Sequence, residues 1–198
     1  MASNSVHTYP EPDNEKLREL ILYLIHNSEA DPKFGSTKLN KLLFFCDFLA
    51  YRSLGQSITG HEYQKLDFGP APRAFLPIFS QMVEANECRI REEDAHGYKK
   101  KRPIALREPR AEVFSGEEID LIRDVISELW NSNGSEVSEL SHRFLGWELA
   151  ESKETIPYET ILASPSQVLD EEQGEWARKA IEGYLADNKA PASIRARP

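Results

Sequence analysis

Residues 36–54 constrain the fold of this chain more than any other part of its sequence. On an α-helical wheel their apolar side chains cover roughly 260° of the circumference; they are Leu39, Leu42, Phe44, Phe45, Cys46, Phe48, Leu49 and Ala50. Asn40, Asp47 and Tyr51 form the narrow polar strip that remains. A helix that is apolar on so many sides must be covered from several directions, so we expect it to be the central helix of the domain.

Further helices are predicted by apolar residues that recur at helical spacing. They cover about residues 14–25, 74–86, 117–131, 135–144, 155–162 and 166–185. Short polar side chains before these segments are the expected N-caps: Asp13 or Asn14, Ser36 or Thr37 for the central helix, and Ser135 or Ser138.

Extended structure is predicted in two places. Residues 61–68 alternate weakly and predict a short strand, which Gly69, Pro70 and Pro72 should end because proline cannot donate to a ladder. Residues 88–108 predict an exposed β-hairpin around His96-Gly97. The expected fold is therefore α+β and mainly α-helical: a helical bundle around a central apolar helix, with a small antiparallel β-sheet or hairpin.

The organisation predicted from composition is one domain over residues 13–187. A flexible lead, residues 1–12, precedes it, a disordered tail, residues 188–198, follows it, and the hairpin at 88–108 projects from it. The longest apolar run is far shorter than the roughly 20 residues of a membrane helix, and the N-terminus lacks the pattern of a secretory signal. Two cysteines do not make a disulfide framework, so we expect a reduced, cytoplasmic protein.

The charge pattern bears on the class of partner. The formal net charge is −9, and residues 111–198 carry 18 acidic and 8 basic side chains. Nucleic-acid binders usually carry a basic surplus, so nucleic acid is an unfavoured partner and a protein with a basic surface is a better one. The basic run at 99–102 faces Glu92, Glu93 and Asp94 across the predicted hairpin, which favours cross-strand charge pairs over a nucleic-acid site.

The residues that could carry catalysis or bind a metal do not form a recognisable motif. His7, His26, His61, His96 and His142 are scattered without metal-ligand spacing, and the separated glycines form no phosphate loop. A nucleophile pair of Cys46 with His61 or His142 is disfavoured, because Cys46 lies on the apolar arc of the central helix. We therefore predict a protein that is not an enzyme and that uses no cofactor or metal.

Three side chains have two open interpretations each. Lys38 and Lys41 lie in the first turn of the central helix, where the helix dipole disfavours cations. Either they snorkel, with stems on the core and ammonium groups in water, or they meet an anionic group of this chain or of a bound protein. Trp147 is either a core residue that closes the helical domain or an exposed interface anchor. For the two lysines, snorkelling or an anionic group of this chain is favoured over a bound protein, and for Trp147 the core interpretation is favoured.

Two segments resemble the SocA-like antitoxin family, also called the Panacea domain. The first is similar to the family's lysine-leucine helix, small-residue step and Gly-Pro end through Lys38, Leu39, Lys41, Leu42, Leu43, Phe44, Thr59-Gly60, Tyr63 and Gly69-Pro70. The second is similar to a downstream family segment through Leu140, His142 and Trp147. The resemblance spans roughly residues 14–165, with departures at Phe44-Phe45, where tyrosines are common, and at Ala71, where valine is usual.

This resemblance implies a mostly helical domain with a small antiparallel sheet, acting as the antitoxin of a bacterial or phage type II toxin–antitoxin pair. Its partner would be a cognate toxin from a neighbouring gene, neutralised by direct protein contact. The family also implies an alternative, a proteolysis adaptor that delivers its partner to an AAA+ protease; a DNA-binding autoregulator is less favoured. The residues it marks as family signature or partner-facing are Lys38, Lys41, Phe44, Tyr63, Gly69, Pro70, His142 and Trp147.

Overall fold

The chain folds into a helical domain with two small antiparallel sheets, as a computed structural model shows for residues 11–95 and 98–163. The helices of this part are α1 (Asn14–Asn27), α2 (Ser36–Leu54), α3 (Phe75–Glu84), α4 (Gly116–Glu128), α5 (Gly134–His142), α6 (Leu145–Leu149) and α7 (Thr160–Ala163). The strands are β1 (Tyr63–Gln64), β2 (Ala71–Pro72), β3 (Cys88–Ala95), β4 (Tyr98–Ala105) and β5 (Thr155–Ile156). The predicted α+β, mainly helical fold is confirmed.

The prediction that the apolar helix is central is confirmed as well. Helix α2 packs against α1, α4, α5, α7 and strand β2. Its eight apolar side chains from the wheel are all buried. The polar strip does not face solvent along its whole length, however, because Asp47 is fully buried.

Several helix caps differ from those expected. Asp13 caps α1 as predicted, and its side chain accepts from the Lys16 N–H at 2.9 Å. Helix α2 begins after Gly35 without a side-chain cap, so Ser36 is its first helical residue. Asn133, rather than Ser135 or Ser138, caps α5 through a capping box with Glu136.

The three-stranded sheet, in the order β2–β1–β5, corrects two sequence predictions. Ala71–Pro72 was expected to lie beyond the strand but pairs with Tyr63–Gln64. Pro72 is compatible with this pairing because β2 is an edge strand, where a missing N–H is tolerated. Thr155–Ile156 was expected to open a helix but pairs with the other side of β1. The five-residue helix α6, which carries Trp147, was not predicted.

The hairpin forms the second sheet, with Cys88 opposite Ala105 and Ala95 opposite Tyr98. The predicted charge pairing is confirmed for Lys99, whose ammonium donates to Glu92 at 3.2 Å. The expectation that residues 99–102 are exposed is wrong for Arg102, which is 5% exposed. Its guanidinium donates to the carbonyls of Phe34, Glu29 and Asp31, so it fastens the hairpin to the loop after α1.

Four sequence predictions lie outside the described residues. They are the flexible lead up to residue 10, the turn at His96-Gly97, the helix at 166–185 and the tail at 188–198.

Candidate functional site

Lys38 lies in the interior, at the end of α4. It is 1% exposed, and its ammonium donates to Asp31 at 2.5 Å. It also donates to the carbonyls of Leu129, Trp130 and Ser132, which follow the last turn of α4. A helix C-terminus has unpaired carbonyls and a negative dipole end, so a cation is favoured there. The intrachain anionic partner is confirmed for Lys38, and the snorkelling interpretation is wrong for it.

Lys41 is buried beside the turn that ends in Gly69-Pro70. Lys41 is 2% exposed, and its ammonium donates to the Pro70 carbonyl at 2.9 Å. Burial lowers the pKa of Lys41 to about 7. Gly69 has φ +94°, and a Cβ at this position would lie 2.6 Å from Ser141 Oγ and 2.7 Å from Lys41 Cε. The turn therefore needs glycine both for its backbone conformation and for its contacts with α2 and α5.

Tyr63 and Phe44 belong to an aromatic cluster around a buried carboxyl group. Their ring centroids are 5.8 Å apart. The Tyr63 hydroxyl donates to Asp47 at 2.8 Å, and the Thr59 N–H and hydroxyl donate to the same carboxyl group at 2.8 and 2.6 Å. Burial raises the pKa of Asp47 to about 6, although the hydrogen bonds from Thr59 and Tyr63 act in the opposite direction. This network connects α2 to β1 and to the segment before it.

Sequence reasoning did not identify Asp47 as part of the core. The available signal was its position: a lone carboxylate on a helix that is apolar on most of its circumference must either face solvent or find hydrogen-bond donors. Thr59 supplies two of these donors, its backbone N–H and its hydroxyl. The resemblance therefore marked Thr59 and Tyr63 without revealing the acidic group that they share.

His142 and Trp147 form a stacked pair next to the Lys41 turn. Their ring centroids are 3.8 Å apart with an interplanar angle of 10°. Lys65 Nζ lies over the indole of Trp147, 4.2 Å from the ring centroid. Burial lowers the pKa of His142, and the charges of Lys41 and Lys65 lower it further. A neutral imidazole is therefore favoured at neutral pH. Both rings are half-buried, so Trp147 closes the domain more than it projects from it.

The eight signature residues thus fall into three groups. Lys41, Gly69 and Pro70 meet at one turn, next to the stacked pair of His142 and Trp147; Phe44 and Tyr63 share the aromatic cluster; and Lys38 stands apart at the end of α4. Six of the eight are buried. Their described contacts lie inside the domain, and only His142 and Trp147 are partly exposed.

The surface of the described part includes the following two grooves. One, of about 1210 Å³, we call the charged groove; it is lined by side chains of both signs, including Lys33, Lys99, Asp67 and Glu139. The other, of about 360 Å³, we call the apolar groove. It lies between α3, the hairpin and β2, and its apolar wall includes Leu66, Phe75, Leu76, Phe79, Ile90 and Pro103.

The described residues offer little to metal or thiol chemistry. Within residues 11–95 and 98–163, no group of three or more His, Cys, Asp or Glu side chains could hold a metal ion. Burial raises the pKa of the Cys46 thiol well above its ordinary value, and it raises the pKa of Cys88 to about 11. Neither thiol is therefore activated as a nucleophile. No helix in these two ranges is long and apolar enough to cross a membrane.

Comparison with known families gives one match. The sequence model of the antitoxin SocA-like family, Panacea domain, matches residues 39–148, which is more than half of the 198-residue chain. The match includes seven of the eight signature residues, since it begins one position after Lys38. Comparison with curated proteins and with solved structures gave no significant match.

Proposed function

The chain belongs to the SocA-like antitoxin family, and we propose that it acts as an antitoxin that neutralises a toxin by direct protein contact. The family match over residues 39–148 is the observation that carries this proposal. The pair would be a type II system of a bacterium or phage, with the toxin encoded by a neighbouring gene.

The placement of the polar signature residues supports a binding role without catalysis. Lys38 and Lys41 hold α4 and the Gly69-Pro70 turn against the central helix. Because their ammonium groups are engaged inside the domain, they act as structural ties. The two buried thiols, Cys46 and Cys88, have raised pKa values, which also disfavours a nucleophilic mechanism.

The electrostatics favour a protein partner over nucleic acid. The chain carries a net charge of −9. Most side chains of its most basic segment, residues 99–102, are bound to groups of the same chain. Arg102 is buried and donates to backbone carbonyls, Lys99 pairs with Glu92, and Lys100 donates to the Pro32 carbonyl at 2.7 Å. A DNA-binding autoregulator would need a free basic face to neutralise phosphates.

Co-expression with the product of the neighbouring gene tests this function. We expect that product to arrest growth when it is expressed alone and growth to resume when the chain is expressed with it. A frameshifted copy of the chain's gene, transcribed from the same promoter, is the control. A neighbour that is harmless alone, or that remains toxic beside the intact chain, would contradict the proposal.

The same cells distinguish sequestration from delivery to a protease. After synthesis is stopped, sequestration predicts that the half-life of the neighbour's product is the same with and without the chain. A half-life that the chain shortens, in a manner dependent on an AAA+ protease, would instead establish the adaptor function.

A further inference from the structure

Helix α3 has exposed apolar side chains in addition to those that pack in the core. Phe75, Ile78 and Met82 already supply its buried face. Leu76, on the opposite side, is 74% exposed and lines the apolar groove, where Ile90 of the hairpin is 39% exposed. Isolated apolar residues on a surface are ordinary, whereas apolar residues that converge on one concave site are typical of an interaction surface.

The charges that border the groove have one sign. The ionisable residues that line it are Arg73 and Lys101, both basic. Arg73 has an ion pair with Glu62 at 3.3 Å, whereas Lys101 has none among the described residues. An occupant with carboxylates beside its apolar side chains would complement this border.

We propose that the apolar groove is the docking site of the toxin, and that the toxin inserts apolar side chains flanked by carboxylates into it. This inference rests on the proposed function, because it takes the neighbouring gene's product as the occupant. A volume of about 360 Å³ suits a few side chains of a docked segment.

The acidic surplus of the whole chain does not conflict with this local chemistry. A net charge of −9 attracts a partner with a basic surface at a distance. Contacts within the apolar groove then set how long the complex lasts, since interface contacts act mostly on the dissociation rate. The toxin is thus expected to be basic overall and to carry acidic residues beside its docking segment.

The test uses the full chain and the purified product of the neighbouring gene. Leu76→Glu puts a carboxylate where the toxin's apolar side chains would lie, and we expect the dissociation constant to rise at least about tenfold, as for a central interface residue. Leu149→Glu is the matched control, since Leu149 is 71% exposed and does not line the groove. It should change the dissociation constant less than about twofold. Both variants should unfold at the temperature of the wild type.

A charge reversal examines the basic border separately. Lys101→Glu should weaken binding severalfold, and more at low than at high ionic strength. Lys99→Glu is its control, because Lys99 is 73% exposed on the same strand and lines the charged groove but not the apolar groove, whereas Lys101 lines both. Equal effects of the two reversals would show that net charge alone matters and would contradict the role of this border.

Failure of the inference differs from failure of the function. If the wild type does not bind the neighbour's product, the proposed function fails. If the wild type binds and Leu76→Glu binds equally well, the groove is not the docking site.

Other occupants would also overturn the inference. Tighter binding by a full-length Trp176→Ser variant would show that the C-terminal segment of this chain fills the groove. A dimer that Leu76→Glu dissociates would identify a second copy as the occupant. A bound apolar molecule, detected by native mass spectrometry and lost in Leu76→Glu, would identify a small ligand.

Discussion

Replacing Lys38 by methionine tests whether the buried lysine holds the domain together. Methionine keeps most of the length of the side chain but removes the ammonium group. Asp31, 1% exposed, then loses its counter-charge, and the carbonyls of Leu129, Trp130 and Ser132 lose a donor. Removing one partner of a buried ion pair costs about 3–5 kcal/mol. Against a total stability of about 5–15 kcal/mol for a domain, this is a large loss.

The assay is urea unfolding followed by circular dichroism, with Lys33→Met as the matched control. The Lys33 ammonium lies 4.0 Å from Glu136, and the Lys33 side chain is 45% exposed. An exposed pair contributes about 0–1 kcal/mol, so the control should change the free energy of unfolding little. Asp31→Asn and the double variant complete a cycle, in which we expect a coupling of about 1–3 kcal/mol between Asp31 and Lys38.

A small effect would refute the reasoning. If Lys38→Met lost less than about 1 kcal/mol and matched Lys33→Met, the ammonium group would be solvated, as an exposed pair is. Snorkelling would then be the correct interpretation of the first turn of α2, and α4 would be held without the lysine.

Three further predictions concern other buried groups. Gly69→Ala should destabilise the domain by about 2–3 kcal/mol in chemical unfolding, because its Cβ would meet Ser141 Oγ at 2.6 Å. The control Gly55→Ala, at a site with φ +79° and open space around it, should cost about 1 kcal/mol. Equal losses for the two variants would contradict the steric argument. Because the pKa of Asp47 is raised from 3.8 to about 6, the folded state binds this proton more tightly than the unfolded state does. As the pH rises from about 4 to 6, the free energy of unfolding of the wild type should therefore fall by up to about 3 kcal/mol relative to that of Asp47→Asn. Parallel curves of stability against pH for the two proteins would contradict this. Cys46, buried with a raised pKa, should react with a thiol reagent only on unfolding, and rapid labelling of the native protein would contradict its placement.

The elements that the sequence predicted well are those fixed by local patterns. The apolar arc of α2 determines burial because hydrophobic periodicity is a property of the helix itself. Asp13 and Gly55 mark helix ends, since capping depends on the neighbouring few residues.

Features that depend on distant residues were not predictable in the same way. Arg102 is buried because it reaches carbonyls of the loop around Asp31, about 70 positions earlier in the chain. Ala71–Pro72 forms a strand only because β1 lies beside it, and the edge position makes its proline harmless.

The candidate site shows the same division. Lys38 and Lys41 could be flagged from the sequence because a positive charge near a helix N-terminus needs an explanation. Only the fold shows that Lys38 meets the end of α4 and that Lys41 meets Pro70. The apolar groove could not be foreseen, since Leu76 and Ile90 converge only when α3 packs beside the hairpin.

Isothermal titration of the neighbouring gene's product with the purified chain tests the central claim, neutralisation by direct binding, most directly. We expect heat release that saturates at a fixed whole-number ratio, and relief of growth arrest only when the chain is present at that ratio or above. Relief of toxicity by clearly substoichiometric amounts of the chain, or the absence of any binding heat despite relief, would contradict the claim.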